Sequence, residues 1–152
     1  MLSKLKAIVP ENLLSLAKKT PKIPVAIVCA NHSSSIESTK EACDMDLIDP
    51  IFIGQEKAIL QEAAKIDWDI STYKMINTNN DQEAAVAGAK LARDSEIRVM
   101  IKGNIHTDIL MRTYLKKEFA LIEGKRLSHI WHMTTNDSSK PLFITDGALN
   151  VA

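Results

Sequence analysis

The sequence has no excess charge of either sign: across 152 residues, 19 Lys and Arg stand against 19 Asp and Glu. Attraction to a polyanion rests on a surplus of positive charge, so neither nucleic acid nor an anionic membrane surface is an expected partner. Cysteine is scarce. Cys29 and Cys43 have no C-x-x-C spacing and are read as reduced thiols of a cytoplasmic protein. Long apolar runs are missing as well. The stretch MLSKLKAIVPENLLSLAKK breaks its apolar residues with Lys, Pro, Glu and Asn, so no signal sequence or membrane span is expected. Without a secretory route, the sequons at Asn31 and Asn136 read as chance occurrences. What remains, 45% hydrophobic and 25% charged residues, is the composition of an ordinary globular chain. At this length one domain is expected over residues 1–152, burying about 68–70% of the surface of the unfolded chain.

Six short, β-branched apolar runs bounded by turn residues predict strands: Val25 to Ala30, Pro50 to Gly54, Tyr73 to Asn77, Arg98 to Gly103, Leu127 to Met133 and Leu142 to Asp146. Helical spacing occupies Glu11 to Lys19, Ser35 to Met45, Gln55 to Lys65, Asp81 to Arg93 and Asp108 to Phe119. Runs such as VAIVCA and RVMIKG are apolar on both faces, as a parallel sheet covered by helices on each side requires. The expected fold is α/β, a three-layer, doubly wound and mostly parallel sheet. Asn80 with Glu83 predicts a capping-box start for the fourth helix. Pro50 marks the start of an extended segment, and TTNDSSKP, residues 134–141, reads as a polar loop.

Ligands of open parallel sheets bind outside the carboxyl ends of the strands, and three such loops carry unusual residues. After the first strand, Asn31-His32-Ser33-Ser34-Ser35 suits either an N-cap or an anion at a helix N-terminus. The run Lys102-Gly103-Asn104-Ile105-His106-Thr107-Asp108, with Arg112 one turn into the next helix, has the makings of a phosphate cradle. Gly103 permits a tight turn, Thr107 or Asp108 can cap, and Lys102 and Arg112 bring positive charge. The same residues also suit an ordinary capped turn. Thr145-Asp146-Gly147, with Asn150 four residues beyond Asp146, can bring a carboxylate and an amide to one side of a helix, as a site or as a cap.

Other chemistries lack their patterns. The Walker spacing is absent, as is Gly-x-Ser-x-Gly. His129 and His132, three apart on a predicted strand, point to opposite faces, and His32 and His106 have no neighbouring ligand spacing. No metal site is expected.

The run MIKGNIHTDILMRTYL, then RLSHIWHM, then KPLFITDGALNVA, preceded by CANHSSSIESTKEACDMDLIDPIFIG, resembles the phosphate acetyl/butyryltransferase family, in particular its phosphate butyryltransferase-like branch. The resemblance runs from Val25 to the end of the chain and is to the N-terminal half of a family member. It implies a domain like the first domain of the isocitrate/isopropylmalate dehydrogenase-like fold. It implies the reaction acyl-CoA plus phosphate giving acyl phosphate plus CoA, with acetyl or butyryl as the acyl group. The thioester and phosphate enter as substrates, with no further cofactor or metal. By the same resemblance Lys102, Gly103, Asn104, Thr107 and Arg112 face the substrate cleft, Ser128 and His129 form its Ser-His motif, and Asp146 and Asn150 its Thr-Asp-x-x-x-Asn motif. The family's Ser-Arg catalytic cluster and much of its CoA surface fall in the second half, so no catalytic residue is assigned in this chain. The implied partner is a homo-oligomer or a second-half polypeptide. Two alternatives follow: a non-catalytic remnant that oligomerises and binds phosphate or CoA-like anions, and a regulatory subunit of a full-length homologue.

Overall fold

The computed structural model describes residues 9–122, 124, 127–133 and 141–145. The chain falls into two compact units, Lys18–Leu121 and a second made of Met1–Ala17 with Ile122–Ala152.

The larger unit alternates strand and helix: β1 (Ile23–Val28), α2 (Ser33–Asp44), β2 (Ile48–Gly54), α3 (Glu56–Ala64), β3 (Met75–Asn77), α4 (Asp81–Arg93), β4 (Val99–Lys102) and α5 (Thr107–Tyr114), with a 3₁₀ turn at Lys117–Phe119. Its four strands form one parallel sheet in the order β3-β2-β1-β4. Side chains of successive strand residues leave on opposite faces, and the core divides accordingly. Ala26, Val28, Ile51 and Ile53 pack with Ala84, Ala85 and Leu91 of α4 and with Ile105, while Ile109 and Leu110 of α5 border them. Val25, Ile27 and Phe52 pack on the other side with Ile36 of α2, Ile59 and Ala63 of α3, and Ile70. Helices therefore cover both faces, which is why these strands read as unbroken apolar runs. On the second face the ring of Phe52 meets those of Trp68 and Tyr73 edge-on, at centroid distances of 5.8 and 6.0 Å.

The connections through α2 and α3 step outward from β1 to β3, and the connection through α4 returns past β2 and β1 to place β4 on the far side of β1. The winding direction reverses between β1 and β4, which makes the carboxyl ends of those two strands the crevice of the sheet.

Element boundaries differ from the sequence expectation for local reasons. β1 starts two residues earlier than expected and ends at Val28, because Cys29 adopts a left-handed backbone, φ 57°, that no strand continues through. Pro50 lies inside β2 rather than at its start. β3 pairs only with Phe52 to Gly54, so the missing N–H of Pro50 falls on a stretch with a single neighbouring strand, where proline is tolerated. α5 ends at Tyr114 instead of running to Phe119, and the 3₁₀ turn then closes on a left-handed Ala120, φ 50°.

The Asn80 cap is present: its Oδ1 accepts from the Glu83 N–H at 2.9 Å. The return bond of the capping box shifts by one residue, since Glu83 Oε2 accepts from the backbone N–H of Asn79 at 2.9 Å. That backbone donor first, with the side-chain amides of Asn79 and Asn80, holds the Glu83 carboxyl below its ordinary range. At the same carboxyl edge of the sheet α2 is capped by His32, whose Nδ1 accepts from the Ser34 N–H at 3.4 Å, and not by the neighbouring Asn or Ser residues.

The second unit contains α1 (Glu11–Ala17) and two strands, β5 (Ile130–Met133) and β6 (Leu142–Thr145). Both strands were expected, yet they form a separate antiparallel pair, with Trp131 opposite Ile144 and His132 opposite Phe143. The physical reason is connection length. Eight residues separate β5 from β6, enough for a hairpin and too few for a parallel crossover of a dozen or more. Among the described residues no helix is long and apolar enough to cross a membrane.

Candidate functional site at the β1/β4 crevice

The end of β4 is tied closely to the end of β1. Gly103 N–H donates to Val28 O and Asn104 N–H to Cys29 O, both at 2.8 Å. This approach excludes a side chain at position 103. A Cβ there would lie 2.7 Å from Val28 O and 2.9 Å from the carbonyl carbon of Cys29, and closer still to Cys29 O. Glycine is thus required by the close passage of backbone on backbone.

Past Gly103 the chain turns over Ile105, which is 3% exposed and anchors the loop in the core. Lys102 folds over the turn, its ammonium donating to Ile105 O at 2.6 Å and, more weakly, to Gly103 O at 3.4 Å. The loop then enters α5, whose N-cap position is held by His106 without a side-chain hydrogen bond. Thr107 is the first helical residue, so its expected place as the cap is taken by His106. The Asp108 carboxyl is held below the ordinary range, first by the Arg112 guanidinium and to a smaller extent by the backbone N–H groups of Asp108 and Ile109. α5 is fixed against α4 by Gln82, whose Nε2 donates to the buried Thr113 hydroxyl at 2.9 Å.

A cavity of about 520 Å³ opens at this crevice, lined by Asn31, Asp81, Lys102, Asn104, Ile105, His106 and Thr107. Three of the residues singled out in the sequence, Lys102, Asn104 and Thr107, therefore share one wall, with Gly103 in the backbone turn between the first two. Arg112 does not line it. Its side chain is 79% exposed and pairs with Asp108 one turn earlier on α5. Ser128 and His129 belong to the second unit, just ahead of β5. Ser128 is exposed there, whereas His129 Nδ1 is buried with no hydrogen-bond partner among the described residues, and its ring stands edge-on to Trp131 at 6.2 Å. Asp146 and Asn150 lie outside the described residues.

Asp81 is the residue that reading by sequence passed over. It opens α4 and was absorbed into the Asn80–Glu83 cap. The signal was available, because the loop after β3 also ends at the carboxyl edge of the sheet. One oxygen of Asp81 faces the Cys29 thiol, with Sγ to Oδ1 at 3.6 Å. Cys29 is only 4% exposed, and burial, reinforced by the Asp81 carboxylate, pushes its thiol up to about 12. It is a protonated donor and not a nucleophile at neutral pH. The ordinary thiol value is 9.0, so the unfolded chain loses this proton first. The stability linked to the protonated thiol is complete below about pH 9 and is lost as the pH rises toward 12. Native protein at pH 8 is expected to leave Cys29 unalkylated by iodoacetamide, while urea-unfolded protein is labelled there. Peptide mass spectrometry reads the difference, and native labelling of Cys29 would contradict the buried, protonated assignment.

What this arrangement offers chemically is a small set of donors and one carboxylate among the described residues around an open crevice. Lys102 and the start of α5 favour a negatively charged ligand group. Asp81 opposes it unless the ligand also brings a donor.

No protein-family model matches the chain. It is 34% identical over 140 residues to a phosphate acetyltransferase of Rickettsia prowazekii, a match that covers 92% of this chain and 40% of that protein. It is 30% identical over 140 residues to a phosphate butyryltransferase of Clostridium beijerinckii, covering 92% of this chain and 46% of that one. Among solved structures, a branched-chain phosphotransacylase from Enterococcus faecalis V583 superposes with a TM-score of 0.66 at 22% identity, over 86% of this chain and 45% of that structure. The last of these supports the α/β fold, and the two sequence relatives point to the family. Over 92% of its length the chain is similar to proteins of the phosphate acetyl/butyryltransferase family, and it spans less than half of those two relatives.

Proposed function

We propose that this chain supplies the phosphate-binding part of a phosphate acyltransferase that transfers an acetyl or butyryl group between coenzyme A and inorganic phosphate in the cytoplasm. The observation that carries the reading is the 520 Å³ crevice at the β1/β4 reversal, in which Lys102, Asn104 and Thr107 share a wall. Sequence relatives named for the two phosphate acyltransferase activities support it.

In such a reaction a phosphate oxygen attacks the thioester carbonyl carbon, a C–O bond forms, and the C–S bond breaks with CoA leaving as its thiolate. Catalysis then consists of bringing two anionic substrates together and stabilising the charge that develops on the carbonyl oxygen and the sulfur. Lys102 offsets phosphate charge while its contact with Ile105 O holds the loop in shape. Thr107 adds a hydroxyl at a helix N-terminus, where backbone N–H groups favour anions. In this reading Ser128, His129, Asp146 and Asn150 contribute to the substrate cleft. Arg112 joins it by releasing Asp108, a surface pair of the kind that costs little to open. The unit Lys18–Leu121 is taken as equivalent to the first domain of the isocitrate/isopropylmalate dehydrogenase-like fold. A homo-oligomer or a second polypeptide completes the cleft.

The test is CoA release from acetyl-CoA and butyryl-CoA, with and without phosphate, by the 152-residue chain alone and after addition of a polypeptide matching the remaining part of the relatives. Phosphate-dependent release in either preparation is the expected result. An inert but verified two-chain complex would overturn the reading. The partial span of the relatives favours one second reading, a chain that binds phosphate or CoA without turning them over. Calorimetric binding by a complex that releases no CoA would select it.

A further inference from the structure

The acyltransfer reading moves a proton that no residue has yet been given. Hydrogen phosphate enters carrying one, acyl phosphate leaves without it, and the CoA thiolate ends as a thiol, which keeps its proton at neutral pH as other alkyl thiols do. A group that takes this proton and gives it back has to titrate near neutrality and be unoccupied in the crevice. Among the residues that line the cavity, Asn31, Asn104, Ile105 and Thr107 carry no side-chain group that titrates there. Lys102 is an ammonium already donating to Ile105 O at 2.6 Å. Asp81 is a carboxylate that faces the Cys29 thiol, and carboxylic acids ordinarily ionise well below neutrality. His106 remains. It is exposed on the cavity wall and holds the N-cap position of α5 without a side-chain hydrogen bond, so helix capping does not occupy its ring. Imidazole is the side chain that ordinarily exchanges a proton near neutral pH.

Resting on the acyltransfer reading, we infer that His106 is a catalytic residue, the acid–base group that carries the proton from phosphate to the departing sulfur. Its neutral imidazole accepts the O–H proton of hydrogen phosphate as the phosphate oxygen forms its C–O bond to the thioester carbonyl carbon. The C–S bond then breaks, and the imidazolium returns the same proton to the sulfur. Acyl phosphate and a thiol leave, and the ring is neutral again. Thr107, the next residue, and Lys102 offer the anion its donors on the same wall, which sets the phosphate beside the ring. The charged groups that share the crevice with His106 are Lys102 at the end of β4 and Asp81 at the start of α4, while Asp108 on α5 is paired with Arg112.

The test is His106→Asn, because asparagine is a favoured N-cap that keeps the start of α5 and has no group that titrates. In the preparation that releases CoA, the variant is expected to lose about a hundredfold in kcat, the lower end of what acid–base catalysis contributes, with the KM for phosphate unchanged. The wild-type rate of CoA release should rise with pH through an ionisation near neutrality, and the variant should lack that rise. A merely structural role would raise KM or lower the urea midpoint and leave the pH profile in place. Wild-type kcat and pH profile in the variant would overturn this inference alone, whereas a wild-type chain inert both by itself and with the second polypeptide removes it together with the acyltransfer reading. Should His106→Asn fail to fold, diethyl pyrocarbonate on the wild-type protein decides. Activity should fall in step with carbethoxylation of His106, located by peptide mass spectrometry, and phosphate should protect the ring. Full activity with His106 modified would overturn the assignment.

Discussion

Replacing Gly103 with alanine is expected to destabilise the protein by about 3 kcal/mol, the upper part of the range for forcing an atom into a filled site. The clash is with backbone. The added Cβ would fall 2.7 Å from Val28 O and nearer still to Cys29 O, and neither carbonyl can rotate away. Each also accepts a hydrogen bond across the β1/β4 junction, from Gly103 N–H and Asn104 N–H. Relief therefore comes only by parting the two strand ends, which breaks those bonds and pulls apart the Lys102 and Thr107 wall of the crevice. In urea titrations followed by circular dichroism, the variant should show a lower midpoint. In calorimetry it should lose phosphate affinity even where it remains folded. A loss of less than about 1 kcal/mol would mean that the junction is looser than the hydrogen bonds indicate.

Phe52→Ala should be more damaging, by about 3–5 kcal/mol, the usual cost of emptying a buried aromatic site. Phe52 is fully buried on the middle of β2, and its ring stands edge-on to both Trp68 and Tyr73, which themselves meet at 5.7 Å. The two partner rings belong to the segment between α3 and β3, so removing Phe52 unpins that connection as well as opening a cavity under α3. A domain has only about 5–15 kcal/mol of stability in all, so the variant is expected to populate unfolded states in mild denaturant. Tryptophan fluorescence reports the change, because Trp68 loses one of its two ring neighbours. Phe52→Leu, which refills part of the volume, should recover much of the loss. If Phe52→Ala and wild type share a midpoint, the aromatic cluster does not hold this face of the core.

The α/β class, the six strands and five helices of the described residues, and the Asn80 cap are legible in the sequence because each rests on neighbours within a few residues. Period-two and period-3.6 patterns and capping preferences are local physics. The Lys102 to Thr107 loop is legible for a similar reason, since a glycine between a buried run and a cap-rich helix start marks the end of a strand. Arg112 shows where such reasoning stops. Its position one turn beyond Thr107 on the same helix points to a shared site, whereas the structure shows its exposed guanidinium paired with the Asp108 carboxylate four residues earlier.

By itself, then, the sequence determined what the pieces are and which family's pattern they follow. The tertiary structure decided which strand ends are neighbours. Placing β4 beside β1, after a crossover that passes two strands, depends on long-range burial that no local pattern encodes. That placement alone brings Asn31, Asp81 and Lys102 from three separate loops to one cavity. It also explains why position 103 must be glycine for lack of space rather than for turn geometry, and why Cys29, unremarkable as a lone thiol in a sequence, comes to hold the one carboxylate of that cavity.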